Sequence, residues 1–204
     1  MQGNSAPSTV INLKDAGVAA FLAWLIPGLG HLYQGRYAKA AVFFVCIMGL
    51  FLYGVYLSSS NQPLLDGQGT IGAGRAVYFS WRPNDRRWAY LCQIGVGLPA
   101  MPALVQAQRM ASHRRVWWDG FMAPPWLSEQ ERQKAQELSV APNDPNGNFD
   151  QPSLQDLYRR LHRYFELAGF YTMIAGLLNI LVIYDAWAGP AVSCPGRTEE
   201  NKGS

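Results

Sequence analysis

The side chains best suited to chemistry in this sequence are three histidines (His31, His113, His162), three cysteines (Cys46, Cys92, Cys194) and a carboxylate, Asp185, set at the end of an apolar stretch. A histidine does acid–base work or binds a metal when a second ligand or titratable group stands at a fitting spacing. The histidines here are scattered, and no H-E-x-x-H, G-x-S-x-G, phosphate-loop or C-x-x-C pattern is present. They read as structural or interfacial. An odd number of widely spaced cysteines supports neither a disulfide framework nor a zinc site. Cys46 and Cys92 fall inside apolar runs, where a small buried hydrophobe is expected. Gly67, Gly69, Gly72 and Gly74 lack both the G-x-G-x-x-G spacing and the Gly-Lys-Ser/Thr of a nucleotide loop, so they read as linker. No catalytic residue, metal ligand or cofactor is expected, and the chain reads as non-enzymatic.

Asp185 has a different setting. It lies near the end of residues 168–187, AGFYTMIAGLLNILVIYDAW. An ionisable group within a membrane span marks a function by default, and near a span end it reaches the interface or a partner cation. On the same stretch Ala168, Thr172, Ala175, Gly176 and Asn179 are small or polar at three- and four-residue spacing. Such a stripe lets helices approach closely, with Asn179 bonding across the contact. Gly176, Asn179 and Asp185 are thus the expected packing residues.

The elements that must hold these side chains are apolar helices. Residues 38–58 carry one charge, Lys39, at their start. Apolarity all round a helix of about twenty residues is what a bilayer core demands. Residues 16–33 form another apolar stretch, joined to it by Gln34-Gly35-Arg36-Tyr37. A third, residues 88–105, is uncharged but holds Gln93, Pro99 and Pro102, which point to a kinked or re-entrant span. The expectation is an all-α, polytopic membrane protein of about four spans. Its segments are an N-terminal tail (1–15), a hairpin (16–58), a Gly-rich loop (59–87), the third span (88–105), a polar section (106–167), the fourth span (168–188) and a disordered tail (189–204). Whole-chain figures conceal this: 49% hydrophobic residues and a mean hydropathy of −0.05 resemble a soluble domain, because long loops dilute the spans. Seven Trp and ten Tyr suit membrane–water interfaces, and a net charge of +3 gives no reason to expect nucleic acid. Residues 1–12 lack Lys and Arg, and no small-x-small cleavage site follows, so the first stretch reads as retained.

Within the polar section, Ser128-x-x-Glu131 has the form of a capping box, and residues 142–152 read as a turn-rich linker. Ser153, with Asp156 three residues on, opens a further helix. Leu154, Leu157, Tyr158, Leu161, Tyr164 and Phe165 line one of its faces, and Arg159, Arg160, His162 and Arg163 fall away from that stripe. This is the pattern of a helix lying in the headgroup region with Arg159, Arg160 and Arg163 on anionic lipid, or of one packing its stripe on the protein's own spans. Residues 76–81 suit a short strand or an interfacial aromatic patch. With four alternating spans, ten Lys and Arg fall inside (36, 39, 109, 114, 115, 132, 134, 159, 160, 163) against seven outside (14, 75, 82, 86, 87, 197, 202). That places the 34–37 turn in the cytoplasm and both termini outside.

Residues 26–36, IPGLGHLYQGR, resemble the signature of the two-transmembrane-helix domain family. The resemblance implies a PGxG kink in the first helix, a Tyr-x-Gly-Arg-type turn at Tyr33, Gly35 and Arg36, and a second helix. Pro27 would break one backbone bond, Gly28 and Gly30 would let another helix pack at the bend, and Arg36 would anchor the turn in the cytoplasm. The acidic-Arg-Phe element of that family is absent. QIGVGLPA and AGLLNILVIYDAWAGP are similar to an uncharacterised group of bacterial integral-membrane proteins, which implies a multi-pass protein of the bacterial inner membrane. The expected function is a scaffold or interaction module. Its partners would be the bilayer and its anionic headgroups, a second copy, or other membrane proteins. The alternative is a subunit of an oligomeric transporter or channel.

Overall fold

The computed structural model describes residues 15–63, 70–71, 74–82, 85, 88–138 and 148–188. Most of the 1–15 tail, the 189–204 tail with Cys194, Gly67, Gly69 and Gly72 of the loop, and most of the 142–152 linker lie outside the described residues. Among the described residues the regular structure is helical apart from a short antiparallel ribbon in which β1 (Ser60–Pro63) pairs with β2 (Thr70–Ile71). Residues 76–81 form no strand. Ala76, Val77 and Tyr78 are buried, and Trp81 is exposed.

Two helices are long and apolar enough to cross a membrane: α3 (Tyr37–Leu57) and α8 (Arg163–Ala188). At 1.5 Å per residue, α3 is about 32 Å long, the thickness of a hydrocarbon core. The two helices run antiparallel and form the most extensive pairing in the molecule. Gly54, near the end of α3, sits against Thr172 and the Ala168 carbonyl, and Lys39, at its start, reaches Asp185. Their outer faces are apolar and uncovered: Val42, Val45, Leu52 and Tyr56 on α3, and Phe170, Leu177, Leu181 and Trp187 on α8. Inward stand Ile47, Phe51, Val55, Ala175 and Val182.

The other two apolar stretches are not continuous helices, and in this the structure differs from four plain spans. Residues 16–33 divide into α1 (Ala16–Leu25) and α2 (Leu29–Tyr33), separated at Ile26-Pro27-Gly28. Gly28 has φ +83°, and a Cβ there would crowd the Ala40 carbonyl. The third stretch divides into α4 (Trp88–Gln93), two 3-10 turns flanking Gly97, and α5 (Met101–Ala111). Each is a hairpin, and the two enter the α3–α8 pair from opposite ends. Ala19, Ala23 and Ala186 share a cluster near the end of α8, and Gln34 Nε2 bonds the Ala186 carbonyl, so α1 goes in and α2 comes out at that end. Gln93 Nε2 reaches the Ala76 carbonyl and Thr172 Oγ1, and Gln106 reaches the carbonyls of Trp117 and Phe121, so α4 and α5 enter and leave at the other.

This arrangement corrects two expectations. The 34–37 turn was placed opposite the end of the last helix, yet Arg36 and Lys39 both approach Asp185. The 59–87 loop was placed opposite the 106–167 section, yet Arg75 Nη2 donates to the Asp119 carbonyl at 3.0 Å and Arg82 pairs with Glu131. The physical reason is the same in both cases: a hairpin that turns back part-way returns the chain to the side from which it came.

The polar section is a platform beside the end of α3. In α6 (Glu129–Glu137), Ser128 Oγ accepts from the Glu131 amide. In α7 (Leu154–Leu161), Ser153 and Asp156 form a reciprocal capping box. The helix expected to run through Phe165 stops at His162, whose φ of +44° turns the chain before α8 begins. Leu157, Leu161 and Phe165 nonetheless share one cluster with Ala76, Tyr78 and Ala168, so that part of the stripe packs on the protein itself. Tyr158 and Tyr164 are exposed instead.

Candidate functional site

The tips of the two hairpins meet inside the α3–α8 pair. Both α1 and the α4 segment end there, each leaving carbonyls to which no further turn of helix donates. Asn179 answers them: its Nδ2 donates to the Ala23 carbonyl at 3.1 Å and to the Gly95 carbonyl at 2.8 Å. Trp24 Nε1 adds a bond to the Ile94 carbonyl at 3.3 Å. Asn179 Oδ1 is buried without a hydrogen-bond partner. The contact is close because it is built from small residues. Gly95 lies on the backbone of Gly176, Gly176 lies on the Cys92 carbonyl, and a Cβ on Gly97 (φ +86°) would collide with the Trp24 carbonyl. Buried peptide groups left unpaired are costly, and the Asn179 amide relieves that cost at both helix ends. Chemically, the junction is a closed neutral clamp.

A second cluster lies at the Asp185 end. His31 is fully buried, with Phe43 edge-on at 5.0 Å, and its Nε2 lies 2.6 Å from Asp185 Oδ2. The same oxygen faces Arg36 Nη2 at 3.5 Å and Lys39 Nζ at 3.6 Å. With the shared proton on Nε2, the ring presents Nδ1, which has no hydrogen-bond partner. A histidine–carboxylate pair activates a nucleophile when the second ring nitrogen touches a hydroxyl or thiol. Neither nitrogen does so among the described residues, and the pair instead ties α2 and the start of α3 to the end of α8.

The third feature belongs to the platform. Arg75 is almost wholly buried, its guanidinium against the Asp119 carbonyl and Gly120 and close to Gln151. Burial lowers its guanidinium to about 10, while the carboxylates of Asp150 and Asp119 act in the opposite direction. It stays charged at neutral pH and pins the 113–123 loop to the end of α3.

Of the residues singled out beforehand, Gly176 and Asn179 lie together at the junction, and Asp185 stands two turns away against α2. Pro27, Gly28 and Gly30 are buried at the α1–α2 bend. Tyr33 is half-buried, Gly35 is exposed at the reversal, and Arg36 lies on Asp185. Arg159 and Arg163 are exposed and Arg160 is half-buried. His113 and His162 are exposed, away from His31. Sequence reasoning set aside His31 and did not find Gly95, Gly97 or Arg75. Gly95-Val96-Gly97-Leu98-Pro99 within an uncharged run was the available signal for the second tip. Arg75, in a polar loop, had none.

No group of three or more potential metal ligands occurs among the described residues. Comparison with known proteins matches residues 18–199 to a family of unknown function, DUF6677, and the chain belongs to that family. No curated protein and no solved structure matches it.

Proposed function

We propose that this member of the DUF6677 family is an integral membrane protein that acts as a non-enzymatic scaffold. It would hold the platform of residues 114–138 and 148–161 against one face of the bilayer for an interaction partner. The observation that carries the reading is the uncovered apolar outer face of α3 and α8, with exposed Leu, Val, Phe and Ile along both helices, while the polar side chains Asn179 and Thr172 of α8, Gln93 of α4 and His31 of α2 are buried inside. In this reading α3 and α8 span the bilayer and the two hairpins are re-entrant, one from each side.

The corrected topology also sharpens orientation. At the Asp185 end the described cations are Arg36 and Lys39; at the platform end they are Arg75, Arg82, Arg109, Arg114, Arg115, Arg132, Lys134, Arg159, Arg160 and Arg163. Among the described residues that is ten against two, which favours a cytoplasmic platform. The 34–37 turn and the end of α8 then face outward, in the cell membrane. A cysteine at Tyr37, in a chain lacking its native cysteines, should react with an impermeant maleimide on intact cells. One at Gln130 should react only after permeabilisation. The reverse pattern, or release of the chain by alkaline carbonate, overturns the reading.

A transporter or channel subunit is the second reading, favoured by one observation: two helix breaks meet from opposite sides with Asn179 Oδ1 unpaired between them. Loss of a solute flux in Asn179→Leu, with the fold and assembly intact, would select it over the scaffold.

A further inference from the structure

We propose that the bend between α7 and α8 binds one anionic phospholipid, its phosphate on Arg163 and its two acyl chains along α8. The proposal rests on the membrane reading above and assigns that surface a ligand.

At His162 the chain turns through a left-handed conformation, and beside it an open groove of about 860 Å³ is lined by His162, Arg163, Tyr164, Glu166, Leu167 and Phe170. A smaller groove of about 330 Å³ shares Glu166 and Phe170, and continues past Gly169 and Met173 to Ala89. Phe170 stands between them, more than half exposed. Down α8 the lining changes from charged to apolar: Leu167 lies about 6 Å and Phe170 about 10 Å below Arg163 along the helix axis. Arg163 is thus at headgroup height on a helix of membrane length, with two apolar channels beneath it.

The charge is suited to a phosphate. Arg159, Arg160 and Arg163 form no ion pair with a carboxylate among the described residues, and Arg160 Nε is buried without a hydrogen-bond partner. Asp156 is occupied by the Ser153 cap, which leaves Glu166 as the groove's own carboxylate. Arg163, in no ion pair with Glu166, flanked in sequence by Arg159 and Arg160 and set above two apolar channels, matches a phosphodiester carrying two chains. A zwitterionic lipid adds a cation, which the three arginines together disfavour against the single carboxylate of Glu166.

The test uses the full chain in mild detergent, titrated with phosphatidylglycerol, with phosphatidylcholine of the same chains, and with inorganic phosphate, and read by native mass spectrometry. One phosphatidylglycerol should bind per chain, with phosphatidylcholine at least tenfold weaker and phosphate unbound. Arg159→Gln with Arg163→Gln should weaken phosphatidylglycerol about 25-fold, from roughly fivefold per basic residue at an anionic surface. Arg115→Gln with Lys134→Gln, equal in charge but off the groove, should leave it unchanged, and Phe170→Ala should weaken it with the melting temperature held. Equal losses in the two double variants, equal binding of both lipids, or saturable binding of phosphate overturns the proposal. A wild-type chain that carbonate extracts refutes the membrane reading as well; one that resists extraction but fails these tests refutes the groove alone.

Discussion

The two interrupted hairpins solve the same problem by different means. The α1–α2 hairpin reverses at Pro27-Gly28 and is held by charge, through His31 and the cations around Asp185. The α4–α5 hairpin reverses through two 3-10 turns and is held by neutral bonds: Gln93 to Ala76 and Thr172, and Tyr90 Oη to the Ala100 carbonyl at 3.0 Å. The difference follows depth and solvent. Asp185 is about one-third exposed at the end of its helix, where water lowers the cost of ionisation. The second hairpin's anchors are buried, where a charge would be costly and an amide or phenol is not.

Substitutions can break this contrast in graded steps. Gly97→Ala should do most damage, because the new Cβ meets the Trp24 backbone and φ is +86°. A loss of about 4 kcal/mol or more is expected, seen as aggregation on size exclusion in detergent. A monodisperse variant with an unchanged melting temperature would show that the tips do not touch. Asn179→Leu comes next. It strands the Ala23 and Gly95 carbonyls, and at roughly 0.6–1.7 kcal/mol per bond in a membrane it should cost about 1–3 kcal/mol. Gly35→Ala, at φ +79° with open space around its Cβ position, should cost only about 1 kcal/mol, which a thermal melt would register as a small shift. The smallest effect belongs to Asp185→Asn. The amide oxygen still accepts from His31, and the partly exposed pairs to Arg36 and Lys39 contribute at most about 1 kcal/mol, screened by salt. If the difference from wild type does not shrink between low and high ionic strength, charge is not what holds the first hairpin.

The unbroken helices were legible because their signal is local. Residues 38–58 carry enough continuous apolarity to name α3 within a residue at each end. For α8 the start moved to Arg163, since helix continues through charged residues once His162 has turned the chain. That turn left no trace in composition, as a non-glycine residue at positive φ is imposed by its surroundings. Gln93, Pro99 and Pro102 marked the third stretch as kinked or re-entrant, but not where its ends return. A hairpin that turns back part-way buries the same apolar residues as one that crosses, and only contacts distant in sequence, such as Gln34 with Ala186, distinguish them. Alternating spans separate Arg36 and Lys39 from the end of α8, and Arg75 and Arg82 from residues 119–131, whereas the structure brings each set together. Proline and glycine at 27–30 and 95–102, each followed later by an unbroken apolar run, did mark the two broken elements. At the site, Gly176 and Asn179 could be named because they share one stripe of α8; their partners Ala23 and Gly95 could not.

The cluster of Ala19, Ala23 and Ala186 has a practical corollary. The described chain comes back to its point of departure, so its path is nearly a ring. A short tether from the start of α1 to the end of α8 would close that ring, and new ends could be opened on the exposed surface of α6. Such a circular permutant would keep the contacts of the buried junction while moving both termini to the platform end of the molecule.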